Sequence, residues 1–141
     1  DPTPGTDRNE RREGFYEAIA YADRTYKEGG RKTVPGWRSD RGRVYAKYGK
    51  PDDVLRRQQE GQAPPYEVWR YSTGKGAYYI FVDRTGFGAY QLVYSNDLSE
   101  TNVASWITIL GRRAVADAGQ FVGVDLLAQS RNDEIQPRQR F

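Results

Sequence analysis

The amino-acid sequence predicts an α+β fold: an N-terminal helix, a four-stranded antiparallel meander sheet, a C-terminal amphipathic helix and an extended tail. Apolar residues recur with helical periodicity towards each end of the chain, and the middle is rich in aromatic and β-branched residues joined by short glycine-containing connections. The 141 residues suit one domain with a single core. Three Trp, eleven Tyr and five Phe argue against disorder.

The chain begins with a linker, and the core is expected to start at residue 13. From about Asp7 to Lys27 apolar residues recur at spacings of four, three and four, which predicts a helix with one apolar face. Thr6 or Asp7 would cap it, and Gly29-Gly30 would end it. The alternative is a solvated strut, because the first two turns are heavily charged. The apolar positions are Phe15, Ile19, Ala22 and Tyr26.

Four strands are expected in the middle of the chain. Residues 43–48 alternate between apolar and polar side chains, which predicts the first strand. A turn follows at 49–52, and the polar stretch 52–65 is expected to be a loop with room for one helical turn. The other three strands are predicted at 66–71 (YEVWRY), 77–83 (AYYIFVD) and 89–94 (AYQLVY).

The C-terminal part, residues 96–128, is expected to be helical and apolar. A helix is predicted over 103–118, starting at a cap provided by Asp97 or Ser99 and ending at Gly119. Its apolar face, which includes Trp106, either closes the open face of the sheet or docks on a partner. The polar tail 129–141 is expected to be disordered or docked on a partner.

The composition excludes several classes of chemistry. Cysteine and histidine are both absent, which removes thiolate and imidazole nucleophiles, bases and metal ligands. We therefore expect no cofactor and no metal site. No apolar run reaches the length of a membrane span. Because the chain starts at Asp1 and contains no Met, we expect a mature or excised piece of a longer protein.

The stretch GWRSDRGRVYAKYGKPDDV, residues 36–54, is the most distinctive part of the sequence. It resembles the GWxTD domain family, and the resemblance continues through YEVWRY, FVDRTGFG and YQLV to cover roughly residues 13–95. Ser39 occupies the position of the threonine in the family's name. The resemblance implies a module of exported, envelope-associated or secreted bacterial proteins, with no established activity and no catalytic residue to carry over.

The motif residues themselves favour an architectural role. Gly36 permits a tight backbone entry, and Gly42 lets the chain pass closely under the Trp37 anchor. The side chain of Ser39 or Asp40 is expected to accept a backbone N–H hydrogen bond from two or three residues on. Asp40 is also placed to pair with Arg41 or Arg43. The structural motif comprises Gly36, Trp37, Ser39, Asp40, Arg41, Gly42 and Arg43.

These observations favour a non-catalytic protein–protein interaction or scaffolding module, with a protein partner or self-assembly. The alternative is a polyanion- or glycan-binding module, because residues 24–50 carry nine basic and two acidic side chains; nucleic acid is not the expected ligand. If the predicted strand started early enough to include Arg41, the side chains of Arg41, Arg43, Tyr45 and Lys47 would share one face. The candidate interaction residues are Arg41, Arg43, Lys47 and Trp106.

Two further alternatives rest on particular side chains. Exposed strand aromatics would form a glycan-stacking platform, and the candidates are Tyr45, Trp69, Tyr71, Tyr78 and Tyr90. A carboxylate-based hydrolase is the least favoured function, because its candidate acids also suit ordinary turns and hairpin ends. Those acids are Asp52, Asp53, Glu67 and Asp83.

Overall fold

The structure, a computed structural model, describes residues 6–27, 36–73 and 76–129, without the side chains of residues 6–15 and Trp37. The chain divides into two compact units, Asp1–Lys50 and Pro51–Phe141, and the predicted α+β class is confirmed. The first unit contains helix α1 (Thr6–Thr25), a 3₁₀ turn (Gly36–Arg38) and helix α2 (Asp40–Tyr48). The second contains β1 (Asp53–Arg57), β2 (Tyr66–Arg70), β3 (Tyr78–Asp83), β4 (Tyr90–Ser95), α3 (Trp106–Leu110) and α4 (Arg112–Val122).

Helix α1 lies where the apolar periodicity predicts it. Ala22 is fully buried, and Ile19 and Tyr26 are partly buried, so this side of the helix packs as expected. The helix already begins at Thr6, so part of the stretch assigned to the linker is helical. The expected stop at Gly29-Gly30 lies outside the described residues, as does the tail from residue 130.

The strand predicted at residues 43–48 is wrong, because this segment is helix α2. Ser39 caps the helix with an extended backbone (φ −65°, ψ 156°), and its side-chain oxygen accepts the N–H of Gly42. Gly49, at φ 82°, ends the helix. Of the three apolar residues whose alternation suggested a strand, only Val44 is buried, whereas Tyr48 is 40% exposed. A good cap therefore outweighs a short alternating pattern.

The sheet is the predicted antiparallel meander, with strand order β1-β2-β3-β4. Three strands lie where they were expected, but the first is β1, within the stretch predicted as a loop. This edge strand pairs Val54 with Trp69 and Leu55 with Val68. Four of its five side chains are exposed. Because the strand has no buried face, its sequence does not alternate between apolar and polar residues. Backbone pairing with β2, rather than burial, makes it a strand.

Helices α3 and α4 contribute to the core of the second unit. The ring of Trp106 stacks on that of Tyr94 at 4.4 Å and 22°, and it is 3% exposed. Trp106 therefore packs in the core and is not accessible to a partner. The core that these helices share with the strands includes Val68, Ile80, Val82, Leu110, Val115 and Ala118.

The single helix predicted at 103–118 is divided. Gly111 (φ 95°) donates its N–H to Ile107 at the end of α3, and α4 follows directly. The predicted stop, Gly119, lies inside α4; a Cβ there would be 2.6 Å from the carbonyl oxygen of Val124. The helix ends instead at Gly123, whose φ of 77° is left-handed. Gly119 is therefore needed where the chain after the helix passes close to α4, and it does not end the helix.

Candidate functional site

The GWxSDxG motif is a contact between backbones. The N–H of Gly36 donates a 3.1 Å hydrogen bond to the Asp23 carboxylate on α1. A Cβ on Gly36 would lie 1.9 Å from the carbonyl oxygen of Ala22. Only glycine permits this approach, so the motif begins where α1 and the 3₁₀ turn touch.

Ser39 and Gly42 complete the contact. The hydroxyl of Ser39 donates to the carbonyl oxygen of Gly36 at 2.6 Å and accepts the N–H of Gly42 at 3.0 Å. Ser39 is 3% exposed. A Cβ on Gly42 would lie 1.6 Å from the Gly36 oxygen. Gly42 therefore packs against Gly36. The motif holds α2 against α1 through the Gly36 carbonyl group, the Ser39 hydroxyl group and the two glycines, whose lack of a side chain permits the close approach.

The structure does not give Arg41, Arg43 and Lys47 the common face that the predicted strand implied. Helix α2 places Arg43 and Lys47 one turn apart with exposed side chains. Arg41 is partly buried, and its guanidinium carbon lies 5.1 Å from the centroid of the Tyr26 ring. Arg43 pairs with Asp40 at 3.7 Å. The expected face of Arg41, Arg43 and Lys47 is thus wrong, because it required a strand.

A groove between α1 and α2 was not anticipated from the sequence. Its space is about 480 Å³. Tyr21 and Tyr45 stack in it with ring centroids 4.6 Å apart and planes at 24°. The pKa of Tyr45 is raised above its ordinary value of 10.0. Desolvation is the larger cause, and the electrostatic effect of the nearby Tyr21 is the smaller one. We call this site, lined by Glu17, Ala18, Ala20, Tyr21, Arg24, Tyr45 and Gly49, the tyrosine groove.

The candidate catalytic carboxylates are engaged in internal contacts. Glu67 is 3% exposed and accepts hydrogen bonds from the indole N–H of Trp69 at 3.0 Å and from Nε of Arg56 at 3.1 Å. Asp52 accepts the N–H of Ser72, and Asp53 forms an ion pair with Arg70. Within the described ranges, no three acidic side chains come together in a way that would hold a metal ion.

Asp83 organises the loop between β3 and β4. It is 3% exposed, and its carboxylate accepts the N–H groups of Gly86 and Gly88, each at 2.8 Å. The hydroxyl of Thr85 adds a third bond at 3.2 Å. Both glycines have positive φ, 81° and 89°. A buried carboxylate thus fixes the course of residues 84–88, which we call the anchor loop.

The anchor loop presents a phenylalanine to solvent. Phe87 is 90% exposed, the highest value among the exposed large hydrophobic residues of the described chain. Sequence reasoning treated this loop as an ordinary hairpin end. The available signal was the DRTGFG sequence, in which a large apolar side chain stands between two glycines where a turn is expected to be polar.

The second unit also contains a cleft of about 480 Å³. Tyr66 lies in it, between the β1–β2 connection and α4. The pKa of Tyr66 is raised above 10.0, chiefly by burial and to a smaller extent by the Asp117 carboxylate. Arg57 opposes this shift. At the surface, Arg113 and Glu60 approach to 3.9 Å. These contacts link the segment between β1 and β2 to helix α4.

Three of the proposed glycan-stacking aromatics are inaccessible. Trp69, Tyr71 and Tyr78 are 1%, 6% and 3% exposed, respectively. Tyr45 is in helix α2, and Tyr90 is partly buried at the start of β4. The strands therefore do not present the expected platform of exposed rings.

The fold and these sites define a small α+β module in which a glycine- and serine-based motif joins two helices and a separate unit carries a four-stranded meander. The model of the GWxTD domain matches residues 8–108, and the chain belongs to the GWxTD domain family. No curated protein and no solved structure matches significantly. No helix in the described part of the chain has the length and apolar character needed to cross a membrane.

Proposed function

We propose that this protein is a non-catalytic protein–protein interaction module of a larger bacterial assembly, exported or associated with the cell envelope, and that the anchor loop docks in an apolar pocket of its partner. The observation that carries this proposal is the 90% exposure of Phe87 on a loop held by Asp83. Large aromatic side chains buried at interfaces account for much of the binding energy.

The anchor loop suits this role because it is ordered before binding. Three hydrogen bonds to one carboxylate fix the backbone on both sides of Phe87. A loop that is already ordered loses less conformational entropy on association. Burying a phenylalanine side chain contributes about 1.5–3 kcal/mol, which corresponds to roughly 10- to 100-fold in affinity.

The carboxylates support a non-catalytic role. Glu67 and Asp83 use their oxygens to accept internal hydrogen bonds from an indole, a guanidinium and two backbone amides. Groups engaged in this way hold the sheet and the loop in place. These hydrogen bonds explain how the carboxyl groups of Glu67 and Asp83 can be buried in a small sheet.

The test compares Phe87→Ala with Leu98→Ala in the full-length protein. Leu98 is also exposed, at 61%, but it follows the opposite end of β4. Phe87→Ala should leave the unfolding free energy within about 0.5 kcal/mol of the parent and lower the yield of the co-purifying partner at least about 10-fold. Leu98→Ala should retain the partner. Equal retention by both variants would refute the proposal.

A polyanion-binding function is the second candidate, because Arg43 and Lys47 are exposed one turn apart on α2. Binding of this kind weakens steeply as salt rises, whereas apolar docking through Phe87 does not. Titration with heparin at increasing salt separates the two functions. A steep salt slope that disappears in the Arg43→Ala, Lys47→Ala double variant would favour the polyanion.

The location proposed for the assembly has its own test. Fractionation of the native cells, followed by detection with an antibody, should place the protein outside the cytoplasm. Recovery in the cytoplasmic fraction alone would contradict an exported or envelope-associated module.

A further inference from the structure

The tyrosine groove lies on an exposed side of α1. Ala22 is fully buried on one side of this helix, whereas Tyr16 and Tyr21 are 61% and 40% exposed. On α2, Tyr48 is also 40% exposed. Residues 15–22 read FYEAIAYA, so apolar side chains extend around the helix beyond the side that packs.

The groove has walls that are already positioned. Tyr21 and Tyr45 hold each other in a stacked arrangement at 4.6 Å. Ala18, Ala20 and Gly49 also line the groove, where their small size leaves room for a ligand. At about 480 Å³ the groove has room for a few side chains, a size typical of sites that bind short ligands.

The excess of basic residues in the first unit favours a negatively charged ligand. Among its residues with described side chains, seven are basic and three are acidic. Arg24 lines the groove at one position and Glu17 at another. They are two helical turns apart, about 10 Å along the axis of α1, so the groove has a basic end and an acidic end. A peptide would therefore bind in one direction.

We propose that the tyrosine groove binds a short acidic segment of a protein partner, with apolar side chains against Tyr21 and Tyr45 and a carboxylate paired with Arg24. A nucleic acid fits less well, because tracking its backbone requires a row of cations and, among the side chains that the structure describes, Arg24 is the one basic group that lines the groove. This site lies in the first unit and stands independently of the anchor loop.

The probe is a fluorescein-labelled synthetic peptide in which glutamate and leucine alternate, measured by fluorescence anisotropy with the full chain. Tyr21→Ala and Arg24→Glu should each weaken binding at least about 10-fold. Tyr21→Phe, which keeps the ring, should bind normally. The matched control is Arg112→Glu, an exposed charge reversal on α4, and it should bind normally.

Amide chemical shifts provide the second measurement. On adding the peptide, the largest changes should fall on Tyr21, Tyr45 and Gly49, and Phe87→Ala should show the same changes. Three outcomes would overturn the proposal: no binding of the alternating peptide, equal binding of polyglutamate or single-stranded RNA, or equal losses in Tyr21→Ala and Arg112→Glu. Loss of peptide binding in Phe87→Ala would also overturn it, because the peptide would then occupy the anchor loop.

Discussion

Gly42→Ala is the most informative single substitution, because two physical effects oppose each other at this position. Alanine is favoured over glycine inside a helix by about 1 kcal/mol, so propensity alone predicts a more stable α2. The added Cβ, however, would lie 1.6 Å from the carbonyl oxygen of Gly36. Ordinary van der Waals contact needs about twice that distance. Either α2 or the 3₁₀ turn must move.

The expected loss follows from the contacts that this movement breaks. Overpacking costs about 1–3 kcal/mol. Separating Gly42 from Ser39 also removes a helix cap worth about 1 kcal/mol, while the propensity gain offsets about 1 kcal/mol. Because the cap loss and the propensity gain cancel, we expect Gly42→Ala to destabilise the protein by about 1–3 kcal/mol, chiefly by displacing α2.

The assay is urea unfolding followed by far-ultraviolet circular dichroism, with amide exchange read at the residues of α2. The matched control is Ala46→Gly on the same helix, which should cost only about 1 kcal/mol through propensity. A Gly42→Ala protein that is as stable as the parent, or more stable, would refute the backbone contact. So would unchanged exchange protection across α2.

Three further substitutions test neighbouring parts of the account. Ser39→Ala should cost about 1–2 kcal/mol by urea unfolding, because it removes the α2 cap, whereas Ser39→Thr should restore most of it; equal losses would contradict the capping role. Asp83→Asn leaves one carbonyl oxygen where two carboxylate oxygens accepted the Gly86 and Gly88 amides, so exchange at these amides should accelerate at least about 10-fold, and unchanged exchange would show that another group holds the loop. Burial raises the pKa of Tyr66 above 10.0, so its contribution to stability is present below about pH 10 and is lost as the pH rises through the folded-state pKa. Tyr66→Phe should make urea midpoints decline less between about pH 9 and pH 11, and an identical decline would contradict the shift.

The sequence predicted elements whose side chains carry a regular pattern. Strands β2, β3 and β4 were found because their aromatic and β-branched residues are buried. The helix at residues 40–48 was mistaken for a strand because Val44, Ala46 and Tyr48 alternate over a window too short to separate the two periods. Its decisive signal was the cap: Ser39 precedes Asp40, and a helix begins there.

The remaining features depend on contacts between distant residues. Strand β1 has mostly exposed side chains, so only its pairing with β2 reveals it. The tyrosine groove requires Tyr21 and Tyr45, which are separated by more than twenty positions, to meet across two helices. The exposure of Phe87 depends on where the Asp83 carboxylate directs the loop. No local pattern contains this information.

Site-specific photocrosslinking at position 87 tests the proposed function most directly. A benzophenone amino acid would replace Phe87 in the full-length protein expressed in its native cells, with the same substitution at Leu98 as the control. We predict one discrete adduct with a single partner protein from position 87 and none from position 98. The absence of an adduct at 87, or the same adducts from both positions, would contradict a module that binds its partner through this loop.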